Sequence, residues 1–147
     1  MMHAYSELYL SKAQVALGNM LHFAVYDLNE DISSFYRDFL NSGIAERFGK
    51  GDPKYTVGHS GVELAYEVIM KTRGEECTVK PEYHTDKTPE YWCGWALAFY
   101  QWYKDISFSR VEEIVPIEEV LRMYNPLHEA DIKKFVITLD DLMEERK

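Results

Sequence analysis

The sequence predicts an all-α protein, a compact single-domain bundle of about seven helices spanning residues 1–147. Apolar residues recur at three- and four-residue steps along most of the chain, which is the spacing of one helix face. Capping residues and glycine or proline stops separate these segments. The stretch PEYWCGWALAFYQWY is apolar or aromatic nearly all round, which is typical of a helix buried on several sides. We therefore expect the bundle to form around a buried aromatic central helix, residues 89–104.

The first predicted helix runs from about Ser6 to Leu28, where leucine, alanine and methionine form one apolar stripe. Asp31 is placed to cap a second helix, and Gly43 is placed to end it, because glycine tolerates the left-handed conformation common at helix ends. A short helical continuation, residues 44–48, follows directly.

The next segment, GKGDPKYTVGHSG at residues 49–61, contains four glycines and a proline, so we expect a loop without helix. The third helix then begins with a capping box, in which Ser60 and Glu63 satisfy each other's backbone donors. Gly74 ends this helix.

Residues 75–87 lack helical periodicity, and we expect a loop or a small hairpin there, with residues 78–80 resembling a strand. Thr88 is placed to cap the aromatic helix, whose first turn begins with a proline. Within that helix Gly94 and Ala98, four residues apart, provide a surface that a neighbouring helix can approach closely.

Three further helices are predicted after the aromatic helix. A second capping box, residues 109–112, opens a short helix that Pro116 ends, and Pro116 then begins the next one. Asn125-Pro126 signals the start of a long final helix that continues past Leu139.

The charge of the chain argues against nucleic acid and membrane partners. The formal net charge is −9, and a negative surface repels phosphate backbones and anionic lipids. Residues 108–124 form two short helices joined tightly, as in a helix-turn-helix, but the second reads PIEEVLRMY and lacks the basic and amide side chains of a recognition helix. A basic protein or a small cation is the better match for this charge.

The location that we expect is the cytoplasm. Two cysteines, Cys77 and Cys93, are too few for a disulfide framework. The first residues, MMHAYSELYL, lack the basic region and the unbroken apolar core of a signal peptide. The apolar run at residues 91–103 is too short to cross a bilayer, which takes about 20 residues.

A search for catalytic chemistry finds little. His59 and Glu63 stand four residues apart, but His59 precedes the helix cap, so the two side chains need not share a face. His128 lies next to two acids that favour the positive end of a helix dipole, which explains the cluster without a metal ion. Cys93 has no cationic neighbour in sequence to activate its thiol. We expect no catalytic residue, no cofactor and no metal.

The aromatic helix allows two interpretations. In the first, Trp92, Trp95, Phe99 and Trp102 all pack inward. In the second, one edge of this aromatic set lines a groove for a peptide or a partner helix. A homodimer would cover the same surplus of rings.

Three segments carry a resemblance to a known family: FLNSGIAERFGKGDPKYTVGHSGVELAYEVI, TPEYWCGWALAFYQWY and VLRMYNPLHEADIKKFV. Together they resemble a family of small, uncharacterised bacterial proteins, although Phe99-Tyr100 stands where the family core has two tyrosines. The resemblance implies a cytosolic protein, often encoded beside small proteins similar to ADP-ribosyltransferase toxins. It implies an accessory or antitoxin-like role and supplies no catalytic residues.

These observations favour a non-enzymatic protein–protein interaction module, an antitoxin-like or accessory partner of a basic, toxin-like protein. The expected contact residues are exposed tyrosines together with exposed acids of the last helices: Glu118, Glu119, Asp140 and Asp141. A small enzyme or ligand binder that uses the loop 49–61 with His59 and Glu63, and with His128, is the first alternative. A structural homodimer is the second.

Overall fold

Helices are the regular elements throughout the part of the chain that the computed structural model describes, residues 2–82 and 87–147, and no strand occurs there. The predicted all-α single-domain bundle is confirmed. A single 3-10 turn, Glu7–Tyr9, is followed by ten α-helices: α1 (Leu10–Tyr26), α2 (Ile32–Asn41), α3 (Ile44–Gly49), α4 (Pro53–Thr56), α5 (Gly61–Arg73), α6 (Pro89–Lys104), α7 (Phe108–Ile114), α8 (Ile117–Arg122), α9 (Tyr124–Leu127) and α10 (Ile132–Glu145).

The caps predicted from the sequence account for the starts of α2, α5 and α6. The Asp31 carboxylate accepts a hydrogen bond from the backbone N–H of Ser34 at 3.0 Å. Ser60 and Glu63 form the complete capping box at the start of α5, with reciprocal bonds of 2.8 and 3.1 Å. The Thr88 hydroxyl accepts from the backbone N–H of Tyr91 at 3.2 Å. These starts depend on side chains within three residues of the helix, so a local pattern identifies them.

The predicted capping box at residues 109–112 is wrong. Ser107 caps α7 instead, where its hydroxyl accepts from the backbone N–H of Arg110 at 3.1 Å. The earlier start buries Phe108, which is 2% exposed. The Glu112 carboxylate is thereby released to accept the backbone N–H of Ile117 at 2.9 Å, and so it caps α8, which begins after Pro116.

In two other segments the helices begin at residues other than those predicted. Asn125-Pro126 lies in the single turn of α9, and the long final helix starts only at Ile132, where the Asp131 carboxylate accepts the backbone N–H of Lys133. The loop 49–61 is not free of helix, because Asp52 caps the single turn α4.

Residues 75–82 form no hairpin strand. The carbonyl of Val79 accepts the Tyr66 hydroxyl, so the segment lies against α5 at this residue. The predicted loop or hairpin also covers residues 83–86, which lie outside the described residues.

Helices α1 and α6 meet backbone to backbone in the core. A Cβ atom at Gly94 would lie 2.5 Å from the backbone oxygen of Leu17, and one at Gly18 would lie 2.8 Å from the backbone oxygen of Tyr91. Such distances leave no room for a side chain, so each glycine admits the backbone of the other helix. The predicted close approach at Gly94 is therefore explained by α1, which also packs against α5 on another side.

The described part of the chain contains no helix that is long and apolar enough to span a membrane.

We predict that Gly94→Ala destabilises the protein by about 2–4 kcal/mol, because the added methyl group collides with the α1 backbone, which cannot rotate away as a side chain would. Urea unfolding measures the loss. Gly74→Ala is the matched control: Gly74 has a φ of +66° but no atom within 4 Å of an added Cβ, so only the strain of about 1 kcal/mol applies. Equal losses in the two variants would contradict the account of the helix contact.

Candidate functional site

Three rings along one line of α6 are not fully covered by the bundle. Trp95, Phe99 and Tyr103 follow one another at four-residue steps, so they share a helix face, and each is partly exposed. We call these three residues the aromatic edge. Trp92 and Trp102 beside them are buried, at 8% and 4% exposed. Trp92 and Trp102 therefore pack inward, as the first interpretation expects, whereas Trp95 and Phe99 are only partly covered. The groove for a partner in the second interpretation stays a prediction.

The N-terminal segment bounds one end of the aromatic edge. The His3 ring stacks on Tyr103 with centroids 5.2 Å apart, and its Nδ1 bonds the Tyr103 carbonyl at 3.0 Å. Tyr103 stacks in turn on Phe99, with centroids 5.6 Å apart and an interplanar angle of 14°. The Trp102 indole N–H donates to the Tyr5 carbonyl at 2.8 Å. The rings at this end are therefore held in place rather than free to change rotamer.

Helix α10 lies against the neighbouring face of α6. Phe135 meets Trp92 and Tyr100 edge to face, with centroids 5.4 and 6.2 Å apart. The Tyr100 hydroxyl donates to Asp140 at 2.7 Å, and the Lys104 ammonium lies 3.3 Å from the same carboxylate. The Asp140 charge is thus compensated by Lys104 near the C-terminal end of α6, where the aromatic edge also ends.

The acids predicted as partner contacts are mostly engaged inside the protein. Glu118 accepts the Ser33 hydroxyl. Glu119 accepts two hydrogen bonds of 2.8 Å from Arg146, which lower the pKa of this carboxyl. Asp140 is bonded as described above, whereas Asp141 is exposed and has no side-chain partner among the described residues. For Glu118, Glu119 and Asp140 to bind a partner, these bonds would have to be exchanged or shared with it.

His59 lies in a polar cluster with a residue that the sequence did not single out. Its Nδ1–H donates to the Lys54 carbonyl at 2.6 Å, and its Nε2 lies 2.7 Å from a Glu67 carboxylate oxygen. The Tyr55 hydroxyl donates to the other Glu67 oxygen at 3.3 Å. Both ring nitrogens are therefore occupied, which leaves none to take a proton from a nucleophile. The cluster joins the loop before α5 to the helix itself.

Glu63 does not complete a ligand pair with His59. Its carboxylate accepts the backbone N–H of Ser60, and this bond lowers the pKa of Glu63. A cleft of about 480 Å³ nevertheless runs past both residues and is also lined by Glu67, Glu76 and Cys77. The sequence did not single out Glu67, because a glutamate in the middle of a helix is normally exposed to solvent.

His128 has a structural environment. Its ring stacks on Tyr124 with centroids 4.0 Å apart and an interplanar angle of 9°, and its Nδ1 bonds the Tyr124 carbonyl at 2.7 Å. Its Nε2 lies 3.7 Å from Glu129. Within residues 2–82 and 87–147, no group of three or more His, Cys, Asp or Glu side chains is arranged to hold a metal ion.

Glu112 has an environment that the sequence did not predict. It is partly buried between α7 and α8, and burial raises its pKa from 4.5 to about 7, despite the opposing hydrogen bond from Ile117. Glu118 nearby raises the pKa further, and Arg37 lowers it. Its position is explained by the cap that it provides to α8.

Comparison with known proteins adds no family to this geometry. No protein-family model matches the chain, and no curated protein or solved structure is significantly similar to it. The functional interpretation therefore depends on the partly exposed rings, the charge and the paired polar groups, and the resemblance described above stays an expectation.

We predict that Glu67→Gln lowers the free energy of unfolding by about 1–2 kcal/mol, because His59 and Tyr55 lose a charged acceptor. Amide hydrogen exchange should accelerate at residues 57–60, whose loop the cluster holds. Glu76→Gln is the control, since Glu76 lines the same cleft but is exposed. Unchanged exchange in the Glu67 variant would contradict the structural role of the cluster.

We predict that Glu112 makes the protein less stable as the pH rises. Because its pKa is raised in the folded state, its contribution to stability is fully present below 4.5 and is lost as the pH rises through about 7. Glu112→Gln keeps an acceptor for Ile117 but cannot ionise, so it should gain stability relative to the parent protein between about pH 5 and about pH 8.

Urea unfolding of Glu112→Gln and of the parent protein, at about pH 5 and at about pH 8, measures the difference in their free energies of unfolding. The neighbouring exposed residue supplies the control, Glu113→Gln, for which no such gain is expected. A pH-independent difference between Glu112→Gln and the parent protein would show that Glu112 does not titrate in this range.

Proposed function

We propose that this protein is a non-enzymatic protein–protein interaction module that binds its partner through the aromatic edge of α6. The observation that carries the proposal is the partial exposure of Trp95, Phe99 and Tyr103 along one helix face. Aromatic side chains dominate the binding energy of protein interfaces because they bury large apolar areas and lose little conformational entropy. Rings already held by stacking lose even less on binding.

The partner that we propose is a basic protein. The formal net charge of −9 attracts such a partner and increases its rate of association. The exposed Asp141 places part of this charge on α10, the helix that flanks α6, whereas Asp140 is paired with Lys104. The finer proposal is an antitoxin-like role, in which the acidic protein covers the basic substrate cleft of a toxin-like protein; it rests on the family resemblance.

Catalysis is the weaker candidate because of the bonding of the polar groups. His59 donates to Lys54 and contacts Glu67, and Glu63 caps its own helix. Cys93 is fully buried, and burial raises the pKa of its thiol, which opposes the thiolate form that a nucleophile needs. An interaction module requires none of these groups to react.

Coexpression with the product of the adjacent gene tests the proposal. We expect a stable complex and relief of any toxicity of that product. Phe99→Ala should weaken the complex by about tenfold or more, because a ring at an interface centre contributes on the order of 2 kcal/mol. Ile137→Ala on α10 should leave affinity unchanged, since Ile137 is 61% exposed and lies outside the aromatic edge.

Two outcomes contradict the proposal. The first is the absence of both a complex and relief of toxicity. The second is a homodimer, detected by light scattering, that dissociates on Phe99→Ala, because the aromatic edge would then serve self-association. Thermal unfolding of each variant separates lost binding from lost folding.

A further inference from the structure

The His59 ring lies between two hydrogen-bond acceptors. Its Nδ1 atom is 2.6 Å from the Lys54 carbonyl oxygen, and its Nε2 atom is 2.7 Å from a carboxylate oxygen of Glu67. A carbonyl and a carboxylate accept hydrogen bonds but do not donate them, so the ring has to donate at both nitrogens. A neutral imidazole carries one N–H, and only the imidazolium ion carries two. The geometry is therefore that of a protonated His59.

The surroundings of Glu67 assign this proton to the ring. The Tyr55 hydroxyl donates to the other Glu67 oxygen at 3.3 Å, and the Lys54 ammonium lies 3.8 Å from that oxygen. Because both groups are donors, this carboxylate acts as an acceptor on each side. The Glu63 carboxylate also attracts the positively charged ring.

Other titratable groups border the ring from three sides. His59 lines two clefts, one along α5 and one between α1 and the loop before α5. Within residues 2–82 and 87–147, the further titratable side chains that line these clefts belong to α1, to α5 and to the segment after α5: Lys12, Tyr66, Glu76, Cys77 and Lys80.

The contact of His59 with Glu67 holds a short loop against α5. The chain before the loop is fixed, because Tyr55 is buried in the core. Ser60 after it is fixed by the capping box of α5. Between these two points, the bond of His59 to Glu67 is the side-chain hydrogen bond that joins residues 57–59 to α5 in the described ranges. Loss of this bond would therefore free the loop and leave the helix intact.

We propose that His59 is a pH-sensitive switch that holds residues 57–59 against α5 only while its ring is protonated. The protonated ring donates to Lys54 and to Glu67 at once. When the ring releases its proton to solvent, one N–H remains for two acceptors, and the contact with Glu67 is lost if Nδ1 keeps that N–H. Histidine ordinarily changes its charge between about pH 5 and about pH 8, so the loop opens as the pH rises through this range.

The switch acts on the two clefts that His59 lines. One has a volume of about 480 Å³ and the other about 430 Å³. Because the same ring forms part of both walls, its release from Glu67 changes the shape of both clefts together. This inference depends on one polar cluster and is independent of the aromatic edge and its proposed partner.

His128 provides a matched comparison. Its Nδ1 bonds the Tyr124 carbonyl at 2.7 Å, but its Nε2 lies 3.7 Å from Glu129. That distance is too long for a hydrogen bond, so a single N–H is sufficient for this ring. Loss of a proton from His128 should therefore break no hydrogen bond.

The test is amide hydrogen exchange of the full chain at about pH 5 and about pH 8, measured by NMR and corrected for the intrinsic effect of pH. The reporter is the Gly58 amide, which donates to the Pro53 carbonyl at 2.8 Å. Between the two pH values its protection factor should fall at least about tenfold more than that of the His128 amide, which donates to the Tyr124 carbonyl at 2.8 Å. A fall at Gly58 no larger than the fall at His128 would overturn the proposal.

Two variants separate the switch from other effects of pH. The amide of Glu67→Gln can accept from the ring or donate to it, so the contact no longer depends on the proton and the extra fall at Gly58 should disappear. Glu76→Gln removes an exposed acid of the same cleft and should keep that fall. A fall as large in Glu67→Gln as in the parent protein, or its loss in Glu76→Gln, would overturn the switch. Thermal unfolding verifies that each variant is folded.

Discussion

The structure depends on the direct backbone contact between α1 and α6. Gly18 and Gly94 bring the two helices so close that the backbone of each helix fills the place of the other's side chain. This contact fixes the rotation of α6 about its axis, because only one face of the helix carries glycine. The face that meets α1 determines in turn which rings point into the bundle and which point away from it.

That rotation explains why a helix with three tryptophans is not wholly buried. Phe135 of α10 packs against Trp92, and the N-terminal segment packs against Trp102. Trp95 and Phe99 remain partly exposed. Neither ring is fully covered within residues 2–82 and 87–147, and a net charge of −9 opposes nonspecific self-association through such a surface. The same arrangement that stabilises the core therefore leaves part of this apolar surface uncovered.

The sequence predicted the helix starts that depend on side chains within a few residues of the helix. Thr88 and the Ser60–Glu63 pair bond within their own first turn, so their helices begin where the pattern indicates. The errors concern side chains whose partners lie further away: Glu112 fits a capping box by spacing, yet it caps the following helix. The contact of His59 with Glu67 requires α4 to turn the loop back onto α5.

The central claim is that the isolated protein presents Trp95 while it covers Trp92 and Trp102. Solvent paramagnetic relaxation enhancement of the three indole rings, with a neutral gadolinium chelate in solution, measures this most directly. We expect strong enhancement at the Trp95 ring and weak enhancement at the other two. Equally weak enhancement at all three rings would contradict the account, because α6 would then have no edge to offer a partner.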